Sequence, residues 1–205
     1  MILALTVALS LPISFSGCDK PSAVANHDYT VVLHLGDSVH CDSVALRVVD
    51  DDYRCLRTCG MARNTGGTMM FTGQVDGRHV AFLTFDTLST PFYFVLEPGK
   101  TSVTINRHNW VLSGGSGNAD YVRLLVMRQR LLTERQAVRE RYRQAVADST
   151  LTLRGEREAA LADSLLADSL QRVLLQAMQR HDPVGRIVRE RFIATLSPAT
   201  LQQLQ

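Results

Sequence analysis

The chain has 205 residues, enough for one ordinary domain or two small ones, and its 45% hydrophobic content supports a real core, which excludes a wholly disordered protein. A formal net charge of +2 is too small to imply nucleic-acid binding. The basic residues are nearly all arginine, with lysine only at Lys20 and Lys100, a compositional bias more than a binding device.

Residues 1–17, MILALTVALSLPISFSG, are uncharged and mostly apolar, and the polar chain begins at Cys18-Asp19-Lys20. The run is short for a membrane span of about 20 residues, and small residues stand just before the cysteine. Ser16-Gly17-Cys18 resembles the cleavage site of bacterial lipoprotein signals, in which the peptide is cut before a cysteine that is then acylated. Phe15 stands where leucine is more usual, and no Lys or Arg precedes the apolar run. The resemblance implies a signal peptide over 1–17, lipidation at Cys18 and a tether over 18–27, with the rest of the chain facing the periplasm or the cell surface. A plain secretory signal is the alternative.

The pattern then turns to strands. Tyr29, Val31, Leu33 and Leu35 alternate with Thr30, Val32 and His34, and further β-rich runs cover 43–49, 53–59, 69–75 and 80–85. Gly36-Asp37-Ser38, Asp50-Asp51-Asp52, residues 64–67 and Asp76-Gly77 supply the turns. In PFYFVLEPGKTSVTI, residues 91–105, two β-rich runs flank Glu97-Pro98-Gly99-Lys100, which predicts a hairpin; Trp110-Val111-Leu112 adds an edge. Seven or eight short strands with no helix between them predict an antiparallel β-sandwich or barrel-like domain over 28–113.

Gly114-Gly115-Ser116-Gly117 reads as a flexible linker, with Asn118 as a helix cap. Leu124, Leu131, Val138 and Ala145 recur every seven residues and mark a long amphipathic helix. A second helix over about 156–180, with Leu161, Leu165, Val173, Ala177 and Met178 among its apolar residues, completes a helical hairpin. Asp182-Pro183 starts a shorter helix and Ser197-Pro198 opens a final turn, so the helical region covers 118–205 and the fold class is α+β.

Gly67, Phe71 and Gly73 in GTMMFTG, FYFVLEPG at 92–99, and Gly115-Ser116 with Asn118 together resemble the domain of unknown function 4369, a β-rich module of exported lipoproteins of Bacteroidetes-type bacteria. The likeness covers about residues 29–130. The resemblance implies an envelope lipoprotein, and in that family the module often precedes a thioredoxin-like domain carrying a Cys-x-x-Cys pair. That pair is absent from this sequence, so no catalytic residue is carried over.

Chemistry is sparse. Cys41, Cys55 and Cys59 are the main suspects: a tight turn near Asp50 would set Cys41 opposite Cys59 for a disulfide, with buried thiols as the alternative. His34, His40 and these cysteines form the one cluster with metal-ligating chemistry, and their spacing matches no zinc signature. No glycine elbow surrounds a serine, the glycines of 114–117 lack a phosphate-loop lysine, and no calcium-loop pattern follows Asp50. On the long helix, seven arginines face three acids, with Arg135, Arg139 and Arg143 stacked at i,i+4. Arg128, Arg135, Arg139 and Arg143 therefore form either a partner-binding face or a solvated one. The sequence leads to a membrane-tethered, noncatalytic binding or scaffold module, without cofactor or metal, that meets a protein partner or its own copy through the helices. The second reading is the front part of a thiol–disulfide oxidoreductase whose thioredoxin-like domain is missing or separately encoded.

Overall fold

The computed structural model describes residues 27–36, 39–49, 56–64, 66–107 and 109–204. The leader, Cys18, most of the tether, the Asp37-Ser38 and Asp50-Asp51-Asp52 turns and Cys55 lie outside the described residues.

Eight strands come first: β1 (Asp28–Leu35), β2 (Ser43–Val49), β3 (Leu56–Arg63), β4 (Thr68–Gln74), β5 (His79–Phe85), β6 (Phe92–Leu96), β7 (Gly99–Ile105) and β8 (Trp110–Ser113). Four helices follow: α1 (Ser116–Ala147), α2 (Leu153–Met178), α3 (Pro183–Phe192) and α4 (Pro198–Leu201), with short 3₁₀ turns at Ile193–Thr195 and Gln202–Leu204. The class is α+β, strands then helices, as the patterning predicts. The strands form two four-stranded sheets, ordered β4-β1-β7-β8 and β3-β2-β5-β6, so the barrel alternative gives way to a sandwich.

Alternation in the sequence becomes alternation in burial. Tyr29, Val31, Leu33 and Leu35 of β1 and Val44, Leu46 and Val48 of β2 point into the space between the sheets, and the intervening residues do not. Strand β6 breaks this rule, because Phe94, Val95 and Leu96 are all buried. Its second face lies under α1 and α3, which makes the second sheet the middle layer at that edge. Near the first sheet's edge the Tyr29 ring lies over Gly73, where a Cβ would come within 2.7 Å of the phenolic oxygen.

Two expectations are corrected by the topology. Residues 91–105 are not a hairpin: β6 pairs with β5 in one sheet, while β7 pairs in parallel with β1 in the other, Tyr29 opposite Gly99 through Leu35 opposite Ile105. Glu97 and Pro98 carry the chain across the sandwich, and Gly99 restarts it at φ 109°, a conformation that favours glycine. The all-antiparallel expectation therefore fails at this one pair. Turn residues report a change of direction, and a change of sheet uses the same ones.

Residues 114–117 are not a flexible linker either. Gly115 has φ 73°, and a Cβ there would sit 1.9 Å from Glu97 Oε1; a Cβ on Gly117 would meet Val95 Cγ1 at 2.8 Å. The glycines are needed for close approach. Asn118 is fully buried and does not cap α1, whose N-cap position is Gly115. Its amide instead takes the Val95 N–H onto Oδ1 at 2.8 Å and donates from Nδ2 to the Val95 carbonyl at 2.8 Å. These are the backbone groups that β6, as an edge strand, cannot pair within its own sheet. Glu97, also buried, accepts from Gly117 N at 2.9 Å and from Arg78 Nε at 2.8 Å. Its carboxylate supplies the negative charge that the first turn of α1 lacks.

Replacing Asn118 with alanine should leave both Val95 backbone groups buried without partners, a loss of about 2–4 kcal/mol. Urea unfolding of N118A should show a clearly lower midpoint with an unchanged m-value; a midpoint within error of wild type would contradict this role.

Candidate functional site

The helical hairpin is built by local signals. The seam residues Leu124, Leu131, Val138 and Ala145 are all half-buried, as their seven-residue spacing predicts. After α1 the chain reverses through Asp148 and Ser149, the latter at φ 53°, and the Thr152 hydroxyl caps α2 by accepting from Gly155 N at 3.0 Å. At 1.5 Å per residue α1 is about 48 Å long and α2 about 39 Å. Fully buried residues occur only in the first two turns of α1 and the last third of α2. The stretch between forms a two-helix arm whose residues are half-buried at best.

The arm's apolar surface departs from expectation. Leu161 and Leu165, assigned to the seam by pattern, are 62% and 54% exposed, and Leu153 is 65% exposed. Here α2 turns Ala162, Asp163 and Leu166 inward instead. A shallow groove of about 320 Å³ at the tip is lined by Val138, Arg141, Tyr142, Leu151, Glu158 and Ala162 among others.

The expected arginine face is largely spoken for. Arg135 and Arg139 both grip the Asp163 carboxylate from across the hairpin, Arg135 through Nε at 2.8 Å and a terminal nitrogen at 3.1 Å, Arg139 at 2.7 and 3.1 Å. Their guanidinium groups, Arg139 first, hold the Asp163 carboxyl well below its usual 3.8. Arg143 pairs with Glu140 at 2.7 Å, and Arg130 with Glu134 at 2.8 Å, the i,i+4 pair the spacing predicts. Thus the like charges stacked at 135, 139 and 143 are offset by acids inside the chain. Arg128 differs from the rest: its guanidinium lies 4.5 Å from the centre of the Phe192 ring. Asp163 was missed because its meaning depends on the hairpin register. With the turn centred near residue 150, position 163 faces position 137, between the two arginines.

The cysteine expectation is corrected by register. Ser43 pairs with Arg63 and Val49 with Leu56, so Cys41 lies beyond one end of the β2–β3 ladder and Cys59 forms a bulge midway, opposite Leu46 and Arg47. Five residues at 3.3 Å put them roughly 16 Å apart, too far for a bond. Both are free thiols. Burial, with the Asp86 and Asp42 carboxylates, pushes the Cys41 thiol up and makes it a poor nucleophile. His34 donates to or accepts from Thr68 Oγ1 at 3.1 Å and shares with exposed His40 a polar recess of about 330 Å³. Among the described residues no three His, Cys, Asp or Glu side chains are grouped to hold a metal ion, and no helix is long and apolar enough to cross a membrane.

Because the Asp163 value is lower folded than unfolded, its stabilisation is complete above about pH 4, starts to fade below it and is lost as pH falls through the folded value. The urea midpoint of wild type should therefore exceed that of D163N at pH 7, with the gap closing below pH 4 and narrowing in high salt. A gap independent of pH would point to packing instead. For the thiols, non-reducing peptide mapping should yield no Cys41–Cys59 cross-link, and alkylation of the folded chain should label half-exposed Cys59 ahead of buried Cys41.

No family model and no curated protein matches this chain.

Proposed function

We propose that this is a lipid-anchored protein of the bacterial cell envelope, acylated at Cys18 and facing the periplasm or cell surface, that acts as a noncatalytic binding or scaffold module. The apolar leader ahead of Ser16-Gly17-Cys18 supports the anchor, and the likeness to the domain of unknown function 4369 supports the envelope setting. Two or more acyl chains, at about 0.8 kcal/mol per buried methylene, would hold such a chain firmly at a membrane surface.

The binding reading rests on the arm. A two-helix hairpin that leaves Leu153, Leu161 and Leu165 exposed along one helix has apolar surface that its own fold does not cover. Arg135, Arg139 and Arg143 are engaged with acids of the same chain, so a partner, another copy of this chain included, would dock on the leucines of α2 more than on these arginines. Helix-on-helix docking is the mode that such a stripe suits.

Intact mass of membrane-extracted protein should show loss of residues 1–17 and added acyl mass at Cys18. A photo-cross-linker at Leu161 should give a discrete heavier adduct in native membranes, one at the sandwich residue Thr72 should not, and L161E/L165E should shift sizing profiles toward the monomer. An unmodified Cys18 would remove the anchor. A lone monomer, with no adduct at Leu161, would remove the binding role.

A further inference from the structure

Of the four arginines on the expected face, Arg128 is the one without an acidic partner. Its guanidinium carbon lies 4.5 Å from the Phe192 ring centre, and that of Arg191 lies 5.4 Å from the same centre. Two cations thus share one buried ring where α1 meets α3. Arg191 is fixed by donating to the hydroxyl of fully buried Tyr121 at 2.8 Å. The Nε of Arg128 is buried without a hydrogen-bond partner. Among the described residues no carboxylate forms an ion pair with either arginine, although the neighbouring arginines 130, 135, 139 and 143 all have one.

Stacking on a ring face satisfies part of a guanidinium's charge and leaves its in-plane N–H groups unused. Two such groups held close together repel, and burying them raises that cost. Burial and the charge of Arg191 both pull the Arg128 guanidinium below its usual value. What relieves all of this is an anion with several acceptor oxygens.

We propose that Arg128 and Arg191, gathered on Phe192 at the α1–α3 joint, form a binding site for a phosphate-type oxyanion. A phosphate group carries a charge of about −1.5 to −2 near neutral pH and three acceptor oxygens, which matches two forked donors better than a single carboxylate does. Tyr121 acts as a positioning residue, fixing Arg191 beside Phe192 through the hydrogen bond to its hydroxyl. The site lies near the base of the arm, away from the exposed leucines of α2, and does not depend on what the arm binds.

The test is isothermal titration of the full chain with inorganic phosphate and, separately, with glycerol 1-phosphate, both at constant ionic strength set by sodium chloride. Saturable binding is expected for wild type, weakened at least tenfold in R128Q and in R191Q and unchanged in R143Q, whose arginine already has its acid. Inorganic phosphate binding the tighter would mark a free-phosphate site, and glycerol 1-phosphate the tighter a lipid headgroup site; either supports the oxyanion assignment. Absence of saturable binding of both probes to wild type would overturn it, whatever the fate of the variants. So would binding that R128Q retains, with circular dichroism confirming that the variant is folded.

Discussion

The backbone of Val95 has a hydrogen-bonding problem that much of the architecture answers. Strand β6 is an edge, pairing with β5 on one side, yet its residues are buried on both faces because α1 and α3 lie over it. A peptide N–H and carbonyl hidden there would cost about 1–3 kcal/mol each if unpaired. The amide of Asn118, a donor and an acceptor on one short side chain, satisfies both, in place of the missing strand. That bond pair can form only if the start of α1 lies flat against β6, and only glycine at 115 and 117 allows such an approach. Glu97 then lies at the open N-terminus of α1, with Arg78 completing the ion pair. Sandwich and helices consequently share one core, in which Phe94 and Val95 of β6 are buried together with Tyr121, Leu174 and Ile187.

A fixed start gives α1 a fixed direction, and the rest of the hairpin follows from it. Since α1 is far longer than the surface it covers, its outer half has α2 to pack on, and two helices alone bury little apolar area. The Arg135–Asp163–Arg139 cluster sits in that thinly packed region. An exposed ion pair contributes little, but one carboxylate bridging two forked donors from successive turns sets the register between the helices. Charge does there the orienting work that large side chains do nearer the base.

Much of this was legible in the sequence. Alternation located the strands, the seven-residue recurrence located α1 and its seam, and Asp182-Pro183 and Ser197-Pro198 marked helix starts that the structure caps through Asp182 and Ser197. These are local signals, fixed by backbone geometry over a few residues. What was not legible is non-local. The motif LEPGK looks the same whether β7 returns beside β6 or crosses to β1, because the choice is made by side chains across the sandwich. Glycines at 114–117 suit a loose linker or a tight joint equally until Val95 and Glu97 are placed against them. Cys41 and Cys59 looked able to meet because a tight turn was assumed, whereas the ladder closes at Val49 and Leu56 and a bulge absorbs Cys59. Asn118 stood out in the sequence as a cap, but its partners on Val95 did not; Asp163 could have been flagged by reflecting the arginines through the turn.

The same distinction separates the two kinds of arginine on α1. In the arm Arg130, Arg135, Arg139 and Arg143 are matched with acids one turn away or directly across the hairpin, so their charge is offset by neighbours that the hairpin itself supplies. At the base, three elements converge, and the ring of Phe192, contributed by the last residue of α3, takes the place an acid would hold. An aromatic face attracts a cation without neutralising it, so positive charge persists there. The exposed leucines of α2 lie beside the outer half of α1, and the two guanidinium groups gathered on Phe192 lie at its root. Asn118, in the first turn of α1, fixes both, because any rotation of α1 that freed it from Val95 would also carry Arg128 off Phe192.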